Sequence, residues 1–259
     1  MAITLTPFRV GELCEGFSWS VEDVDALAEQ IARVAVGQAE HVANILAEVG
    51  LAEMPTTVEA IKGAVELLTA VGDPYHRDGW MFQVMSWIAA NQQAIGGLIR
   101  APHMIHADKG FDGIQIELED GSGEVSGVVI FEDKATENPR NTIRELVWPD
   151  FRDLEAGKRQ NVLVAEVTTL LKAAPHPNPS AAVQKIIWAD ARRYRVSVTI
   201  ENGHAEERGR QRLFADYDEV APGDRSRRRG ETLLVPNLRN WMAALADLAI
   251  SKARGLTHV

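Results

Sequence analysis

The feature that most constrains the fold is the apolar run over residues 125–131, which contains no charged side chain. Such a run is typical of a strand that is buried on both faces. Residues 114–119 alternate apolar and polar side chains, as a half-buried strand does. Residues 120–123, Asp-Gly-Ser-Gly, lie between the two runs and favour a turn, so the sequence predicts a β-hairpin.

Helical periodicity lies on both sides of this hairpin. It predicts helices over residues 20–49, 56–72, 78–100, 149–173, 180–192 and 237–252. Two further strands are predicted over residues 195–201 and 231–235. Helices, a hairpin and then alternating helices and strands are typical of an α/β or α+β domain with a mixed sheet. We expect an acidic helical section over residues 1–75 and an α/β core over residues 76–259, joined in one continuous globular unit.

The composition, 46% hydrophobic and 25% charged, is ordinary for a globular protein. No apolar run approaches the roughly 18–20 residues needed to span a bilayer, and the first residues do not have the pattern of a signal peptide. The single cysteine, Cys14, has no partner in the chain for a disulfide. We therefore expect a cytoplasmic protein without a membrane partner.

The net charge of −10 argues against a broad phosphate-binding surface, but the charge is unevenly distributed. Residues 1–80 contain thirteen acidic and four basic side chains, whereas residues 185–229 contain eight acidic and eleven basic ones. The second segment supplies six candidate nucleic-acid-binding arginines: Arg192, Arg193, Arg195, Arg208, Arg210 and Arg212. A solvated loop, or an exposed strand protected by charge, is the alternative interpretation.

Charged residues end the apolar strand. Because side chains alternate across a strand, Glu132 and Lys134 share one face while Asp133 lies on the other. Asp112 starts the neighbouring strand, so the hairpin can bring its carboxylate close to that of Glu132. Two adjacent carboxylates repel each other unless a cation lies between them. A solvated strand end with ordinary charges is the alternative.

Mg²⁺ suits such a pair of carboxylates. It takes one or two of them and fills its other positions with water and phosphate oxygens. A neighbouring lysine can orient the attacking water or stabilise the charge that develops on a phosphate. Each residue type at this strand end therefore has a physical role in phosphodiester hydrolysis.

The order of these residues resembles the active-site signature of the PD-(D/E)xK nuclease superfamily. In that superfamily a helix precedes a strand carrying the first acid, a second strand carries acid–any residue–lysine, and a helix follows. The four parts occur here in that order over residues 78–173. The resemblance implies a restriction-endonuclease-like core that cleaves DNA or RNA with Mg²⁺ or Mn²⁺. It also implies that Asp112 and Glu132 are metal ligands and that Lys134 is the catalytic lysine.

The chain departs from the pattern at two positions. Phe111 stands where the nominal proline precedes the first acid. Gln83 is the nearest polar candidate on the preceding helix, where many members carry a further acid, and an amide coordinates Mg²⁺ less well. Gln160 on the following helix is a second accessory candidate, because members often place a polar side chain from that helix at the site. A solvent-facing glutamine is the alternative there.

Small members of the superfamily serve in bacterial restriction or anti-phage defence, including two-gene systems of the Hachiman type that pair a nuclease with a helicase. By that resemblance we expect a substrate of nucleic acid, DNA in the first place. We also expect a protein partner, such as a helicase or ATPase, or self-association. Two other hypotheses stay open. One is a non-catalytic protein-interaction module, which the net charge and Gln83 favour. The other is a protein of the same fold that binds nucleic acid without cutting it.

Overall fold

The computed structural model of the protein describes residues 1–49, 54–70, 72–93, 97–106, 110–119, 124–173, 183 and 191–257. The strands are β1 (Ile3–Val10), β2 (Cys14–Val21), β3 (Leu98–Ile99), β4 (Gly113–Leu118), β5 (Val125–Lys134), β6 (Arg192–Ile200) and β7 (Arg228–Leu234). The first α-helices are α1 (Val24–Ala35), α2 (Ala39–Leu46), α3 (Val58–Leu68), α4 (Tyr75–Gln93) and α5 (Pro139–Thr142). They are followed by α6 (Trp148–Glu155), α7 (Gln160–Ala173), α8 (Glu207–Leu213), α9 (Tyr217–Val220) and α10 (Leu238–Gly255). A π-helical segment, Ile143–Val147, joins α5 to α6.

The strands form one mixed sheet in the order β1-β2-β7-β6-β5-β4-β3. Strands β2, β7, β6 and β5 run parallel, whereas the pairs β1–β2, β4–β5 and β3–β4 are antiparallel. Strand β5 has Gly113 opposite Phe131 on one side and Val196 opposite Glu132 on the other. The mixed α/β class and the β4–β5 hairpin are thereby confirmed.

Strand β5 is apolar because helices cover both of its faces. Val128 and Ile130 pack in the core cluster that contains residues of α6 and α7. Val129 and Phe131 pack against Ala90 of α4 on the other face. The three consecutive residues from Val128 to Ile130 are fully buried. This explains the uninterrupted apolar run. The charged end of β5 lies between the helices that pack on its two faces.

The prediction of a helical section over residues 1–75 is wrong for its first part, because β1 and β2 form a hairpin there. Strand β2 pairs in parallel with β7, so the hairpin belongs to the same sheet as the rest of the chain. Pro7 is compatible with β1, which is the edge strand. Helices α1, α2 and α3 follow, and Asp23 rather than Ser20 caps α1 by accepting from the Ala26 N–H at 2.9 Å.

The helix predicted over residues 149–173 is broken in the middle. α6 ends at Glu155 and α7 begins at Gln160. Between them Gly157 has a φ of 83° and Arg159 a φ of 59°, left-handed conformations that terminate a helix. The helix predicted over residues 78–100 spans Tyr75–Gln93 and gives way to β3.

The turn predicted at residues 120–123 lies outside the described residues. So does the helix predicted over residues 180–192, apart from Val183 and the start of β6. Within the described part of the chain, no helix combines the length and apolar character needed to cross a bilayer.

Candidate active site

The backbone of the β4–β5 hairpin brings Asp112 to the end of β5. Asp112 directly precedes β4, and the next residue, Gly113, pairs with Phe131. A Cβ atom on Gly113 would lie 2.6 Å from the Phe131 ring. A side chain at this position would therefore push the two strands apart, and glycine permits the close approach that places Asp112 beside Glu132.

Lys134 lies between the two carboxylates. Its Nζ donates to Asp112 Oδ2 at 2.8 Å and to Glu132 Oε2 at 2.7 Å. Because Asp112 Oδ2 and Glu132 Oε2 contact the same nitrogen, the distance between these two oxygens is at most the sum of the two contact distances. The structure thus brings together all three residues that the signature named, on two adjacent strands, with an ammonium group between the acids.

Two further contacts fix the carboxylate of Asp112. Gln83 Nε2 on α4 donates to Oδ1 at 2.7 Å, and the backbone N–H of Asp133 donates to Oδ2 at 2.8 Å. The glutamine therefore lies at the site, where it acts as a hydrogen-bond donor to the first acid. Its amide orients Asp112 without adding a second negative charge.

Burial and neighbouring charges shift the titration of the site. Glu132 is 5% exposed, and desolvation raises its pKa to about 7 despite the opposing effect of Lys134. The negative charges of Asp112 and of Asp150 on α6 raise this pKa further. Burial lowers the pKa of Lys134, but the two carboxylates outweigh burial and hold it above its ordinary value. The ammonium is therefore charged, while the Glu132 carboxyl group holds a proton more readily than an exposed one.

Asp133 faces α4 on the other side of β5 and belongs to a separate polar cluster. Its Oδ1 accepts from Ser86 Oγ at 2.7 Å. Arg195 lies nearby, with its guanidinium 4.5 Å from the centre of the Phe131 ring and both terminal nitrogens 3.4 Å from the Ser86 carbonyl. Burial raises the pKa of Asp133 to about 6, and Arg195 opposes that shift. Sequence reasoning missed Ser86 as a partner of the site strand, because only the packing of α4 on β5 reveals it.

The site opens into a cleft of about 330 Å³. Trp80, Gln83, Asp112 and Lys134 line it. Three apolar side chains from separate parts of the chain also line it and are more than half exposed: Tyr75, Ile105 and Leu146. Arg239 of α10 completes the wall, with its guanidinium 4.1 Å from the Tyr75 ring centre and paired with Asp78. The cleft therefore has a charged interior and an apolar, exposed rim.

Asp112 and Glu132 are the carboxylates that could hold a divalent cation, and Lys134 Nζ lies between them. Among the described residues, no group of three or more histidine, cysteine or acidic side chains is arranged to hold a metal. Two converging carboxylates, from Asp112 and Glu132, are what Mg²⁺ or Mn²⁺ requires from the protein when water and phosphate supply the remaining oxygens. The described hydrogen bonds of Glu132 use only Oε2.

Gln160 is not among the side chains that contact the three signature residues in the described structure. Its Oε1 lies near Gly157, in the break between α6 and α7. The preceding residue, Arg159, does reach towards the site, because its guanidinium donates to the Gly110 carbonyl at 3.0 Å and lies over the Phe111 ring. This contact supports the segment that carries Asp112.

The six candidate arginines do not form one surface. Arg192 and Arg195 are 4% and 1% exposed, so the proposal that they contact nucleic acid needs correction. Both lie on β6, at the centre of the sheet, where Arg192 donates to the Leu154 carbonyl and Arg195 lies against Glu231. The other four are partly or fully exposed: Arg193 pairs with Glu117, Arg210 donates to Ser18, Arg212 donates to Gly203, and Arg208 lies on the surface of α8.

Comparison of the chain with protein-family models, with curated proteins and with solved structures gave no match. The site must therefore be interpreted from its own geometry. That geometry consists of a lysine shared by two carboxylates on adjacent strands, with Asp112 and Lys134 lining a cleft that has an apolar rim.

Proposed function

We propose that this protein is a metal-dependent nuclease that hydrolyses phosphodiester bonds of DNA or RNA. The observation that carries the proposal is the contact of Lys134 Nζ with Asp112 Oδ2 at 2.8 Å and Glu132 Oε2 at 2.7 Å. Two carboxylates can hold a hard cation, and a lysine can stabilise the charge that develops on a phosphodiester during hydrolysis. In this proposal the fold is restriction-endonuclease-like and the chain is a PD-(D/E)xK nuclease.

Each residue of the site has a defined task in this proposal. Asp112 and Glu132 hold Mg²⁺ or Mn²⁺, which supplies a polarised phosphate and a more acidic water when bound. Lys134 is charged and stabilises negative charge that develops on the phosphate, or orients the attacking water. Gln83 and the Asp133 peptide N–H hold the Asp112 carboxylate in one orientation.

The rim of the cleft supports a nucleic-acid substrate. The exposed ring of Tyr75 can stack on a base, and Ile105 and Leu146 offer apolar contacts next to it. Arg239 lines the same cleft as Lys134 and is paired with Asp78. Arg208 and Arg212 on α8 are the exposed members of the basic segment and serve as phosphate contacts in this proposal.

The biological setting we propose is the cytoplasm, with the nuclease acting in restriction or anti-phage defence, as in systems of the Hachiman type. A helicase or ATPase, or a second copy of the chain, delivers or exposes the substrate. Helices α1, α2 and α3 are the proposed contact for such a partner, because residues 22–66, which include them, hold nine acidic and two basic side chains, and Val24, Ile45 and Val58 are exposed.

The test is cleavage of labelled single-stranded and double-stranded DNA and RNA by the purified chain, with Mg²⁺, with Mn²⁺ and with EDTA. Glu132→Gln and Lys134→Met should each reduce cleavage at least about 100-fold, as expected for groups acting on the transition state. Glu145→Gln and Lys158→Met are matched controls, because both residues are exposed and outside the cleft.

Each possible outcome separates the hypotheses. Metal-dependent cleavage that both site variants lose supports the nuclease. Tight binding of a strand without cleavage under any metal condition favours a protein that binds nucleic acid without cutting it. Absence of both binding and cleavage, by the purified chain alone and with a helicase or ATPase partner, would leave the protein-interaction module.

A further inference from the structure

A second cavity among the described residues is separate from the candidate active site. It has a volume of about 850 Å³ and lies on the side of the sheet that α4 covers, beyond the last turn of that helix. Strands β1, β2, β4 and β7 line it, together with Gln92 and Gln93. Its volume is in the range of ligand-binding pockets.

The wall of this cavity is apolar on one side and polar at its base. Leu5, Pro7 and Phe17 from the β1–β2 hairpin form the apolar side. Glu231 of β7 is fully buried, and Gln115 of β4 is 7% exposed. A mainly apolar wall with a few converging polar groups is typical of a site that orients a small ligand.

Several polar atoms at the base are buried without a hydrogen-bond partner in the described part of the chain. They are Glu231 Oε1, Gln92 Nε2 and Gln93 Nε2, none of which has a partner at hydrogen-bond geometry. The other carboxylate oxygen of Glu231 accepts from Trp19 Nε1 at 2.6 Å, while the Arg195 guanidinium, 3.7 Å from Oε1, and the Gln93 amide both interact with the carboxylate. A buried acceptor and buried donors without partners are unfavourable, and a ligand that presents complementary groups would satisfy them.

The charge of the lining limits the class of ligand. Arg9 and Arg229 are balanced by Glu15, Glu117 and Glu231, and Arg229 already donates to Glu117 at 2.5 Å. A polyphosphate would meet more negative than positive charge here. A flat, neutral heterocycle with adjacent donors and acceptors fits better, because its edge can pair with the carboxylate and amides while a face packs on Phe17.

We propose that this cavity is a second binding site and that it takes a nucleobase, either of a free nucleoside or nucleotide or as an unpaired base of a strand. Glu231 Oε1 accepts from a ring or exocyclic N–H, and the amides of Gln92 and Gln93 donate to ring or carbonyl acceptors. The sugar and any phosphate lie towards the open side, near Arg9. This site does not depend on the proposed nuclease activity.

Calorimetric titration of the full chain in EDTA tests the proposal. The probes are GMP, AMP, CMP and UMP, with ribose 5-phosphate as the control that lacks a base. We expect one molecule of at least one mononucleotide to bind per chain, and ribose 5-phosphate not to bind. Glu231→Gln should weaken binding at least about tenfold. Gln92→Leu should do the same and is the safer variant, because Gln92 is only partly buried.

Two further comparisons make the result specific. Lys158→Met must leave mononucleotide binding unchanged, because Lys158 is exposed and lines neither cavity. A single-stranded decanucleotide distinguishes the two sources of the base. Tighter binding than the mononucleotide that Gln92→Leu weakens assigns the site to an unpaired base in a strand, whereas a decanucleotide affinity that Gln92→Leu leaves unchanged assigns it to a free nucleotide. The proposal is overturned if no mononucleotide binds at about 1 mM. It is equally overturned if Glu231→Gln and Gln92→Leu bind like the unaltered chain, or if Lys158→Met weakens binding as much as they do.

Discussion

The amide nitrogen of Gln83 lies 2.7 Å from Asp112 Oδ1, so the helix before the hairpin holds the first acid of the site by a neutral donor. A glutamate in place of Gln83 would put its carboxylate against the carboxylate of Asp112. The site described here instead carries two acids and one lysine, and its net charge is −1 when all three are ionised. A bound divalent cation would convert that charge to +1.

Gln83→Glu should make the site more dependent on metal. The new carboxylate would lie against Asp112, and their repulsion should lower the melting temperature in EDTA. Mg²⁺ or Mn²⁺ should restore it, and cleavage should saturate at lower metal concentration than in the unaltered protein. Gln160→Glu is the matched control, because Gln160 contacts none of the three signature residues. A Gln83→Glu protein with unchanged stability in EDTA and unchanged metal dependence would contradict the geometry.

Lys134→Met should destabilise the metal-free protein by roughly 3 kcal/mol, because it leaves Asp112 and Glu132 without the cation that they share. Mn²⁺ should raise the melting temperature of this variant more than that of the unaltered protein, since the ion then compensates both carboxylates. Thermal unfolding with and without Mn²⁺ measures both effects. Lys158→Met, at an exposed lysine, should change stability by less than about 0.5 kcal/mol and show no extra response to metal.

Periodicity in the sequence predicted the central hairpin and most helices, because those signals are local. The β1–β2 hairpin was missed for a physical reason. Strand β2 is stabilised by parallel pairing of Glu15 with Arg229 and of Trp19 with Leu233, more than 200 residues along the chain. The residues around β2 do not indicate a partner strand so far away in the sequence. The break at Gly157 was missed because α6 and α7 have similar apolar spacing on either side of it.

The site could be predicted in part. The alternation of side chains along β5 was sufficient to place Glu132 and Lys134 on one face of the strand. The predicted hairpin was sufficient to place Asp112 close to them. The same local reasoning failed for Arg195, which lies within a run of basic residues that is typical of a surface. Its buried position depends on Glu231 and Asp133, which lie on the two strands flanking β6, and only the sheet order reveals that arrangement.

Arg195→Leu should destabilise the protein by roughly 3–5 kcal/mol, because it leaves Glu231 and Asp133 buried without their common cation. Arg208→Leu is the matched control on the exposed surface of α8 and should change stability by less than about 0.5 kcal/mol. Urea unfolding of both variants measures the difference. Equal stability of the two would contradict the buried placement of Arg195.

Substitution of the exposed arginines Arg208 and Arg212 should change the affinity for nucleic acid and not the stability of the protein. Arg208→Ala and Arg212→Ala should each weaken binding of a labelled strand similarly for all sequences. Each should also reduce the slope of log affinity against log salt by about one, as expected when one phosphate contact is lost. Affinity measured by fluorescence anisotropy at several salt concentrations gives this slope. An unchanged slope in both variants would remove α8 from the proposed interface.

The pKa of Glu132, raised from 4.5 to about 7, predicts a specific pH dependence of stability in the metal-free protein. Between these two values the unfolded chain has lost the proton while the folded chain keeps it. Unfolding therefore releases a proton, and the free energy of unfolding falls as pH rises through this interval. The full shift corresponds to a loss on the order of 3 kcal/mol, complete above about pH 7.

Glu132→Gln isolates this contribution, because the amide does not titrate while the other ionisable groups are retained. Urea unfolding in EDTA should be measured for both proteins at intervals from pH 4.5 to pH 8. We expect the stability of the unaltered protein relative to Glu132→Gln to decrease steadily with pH and then to level off above the folded-state pKa. A difference that stays constant, or that grows with pH, would mean that Lys134 outweighs the desolvation of Glu132. Added Mn²⁺ should suppress the decrease in the unaltered protein alone, because a bound cation favours the ionised carboxylate.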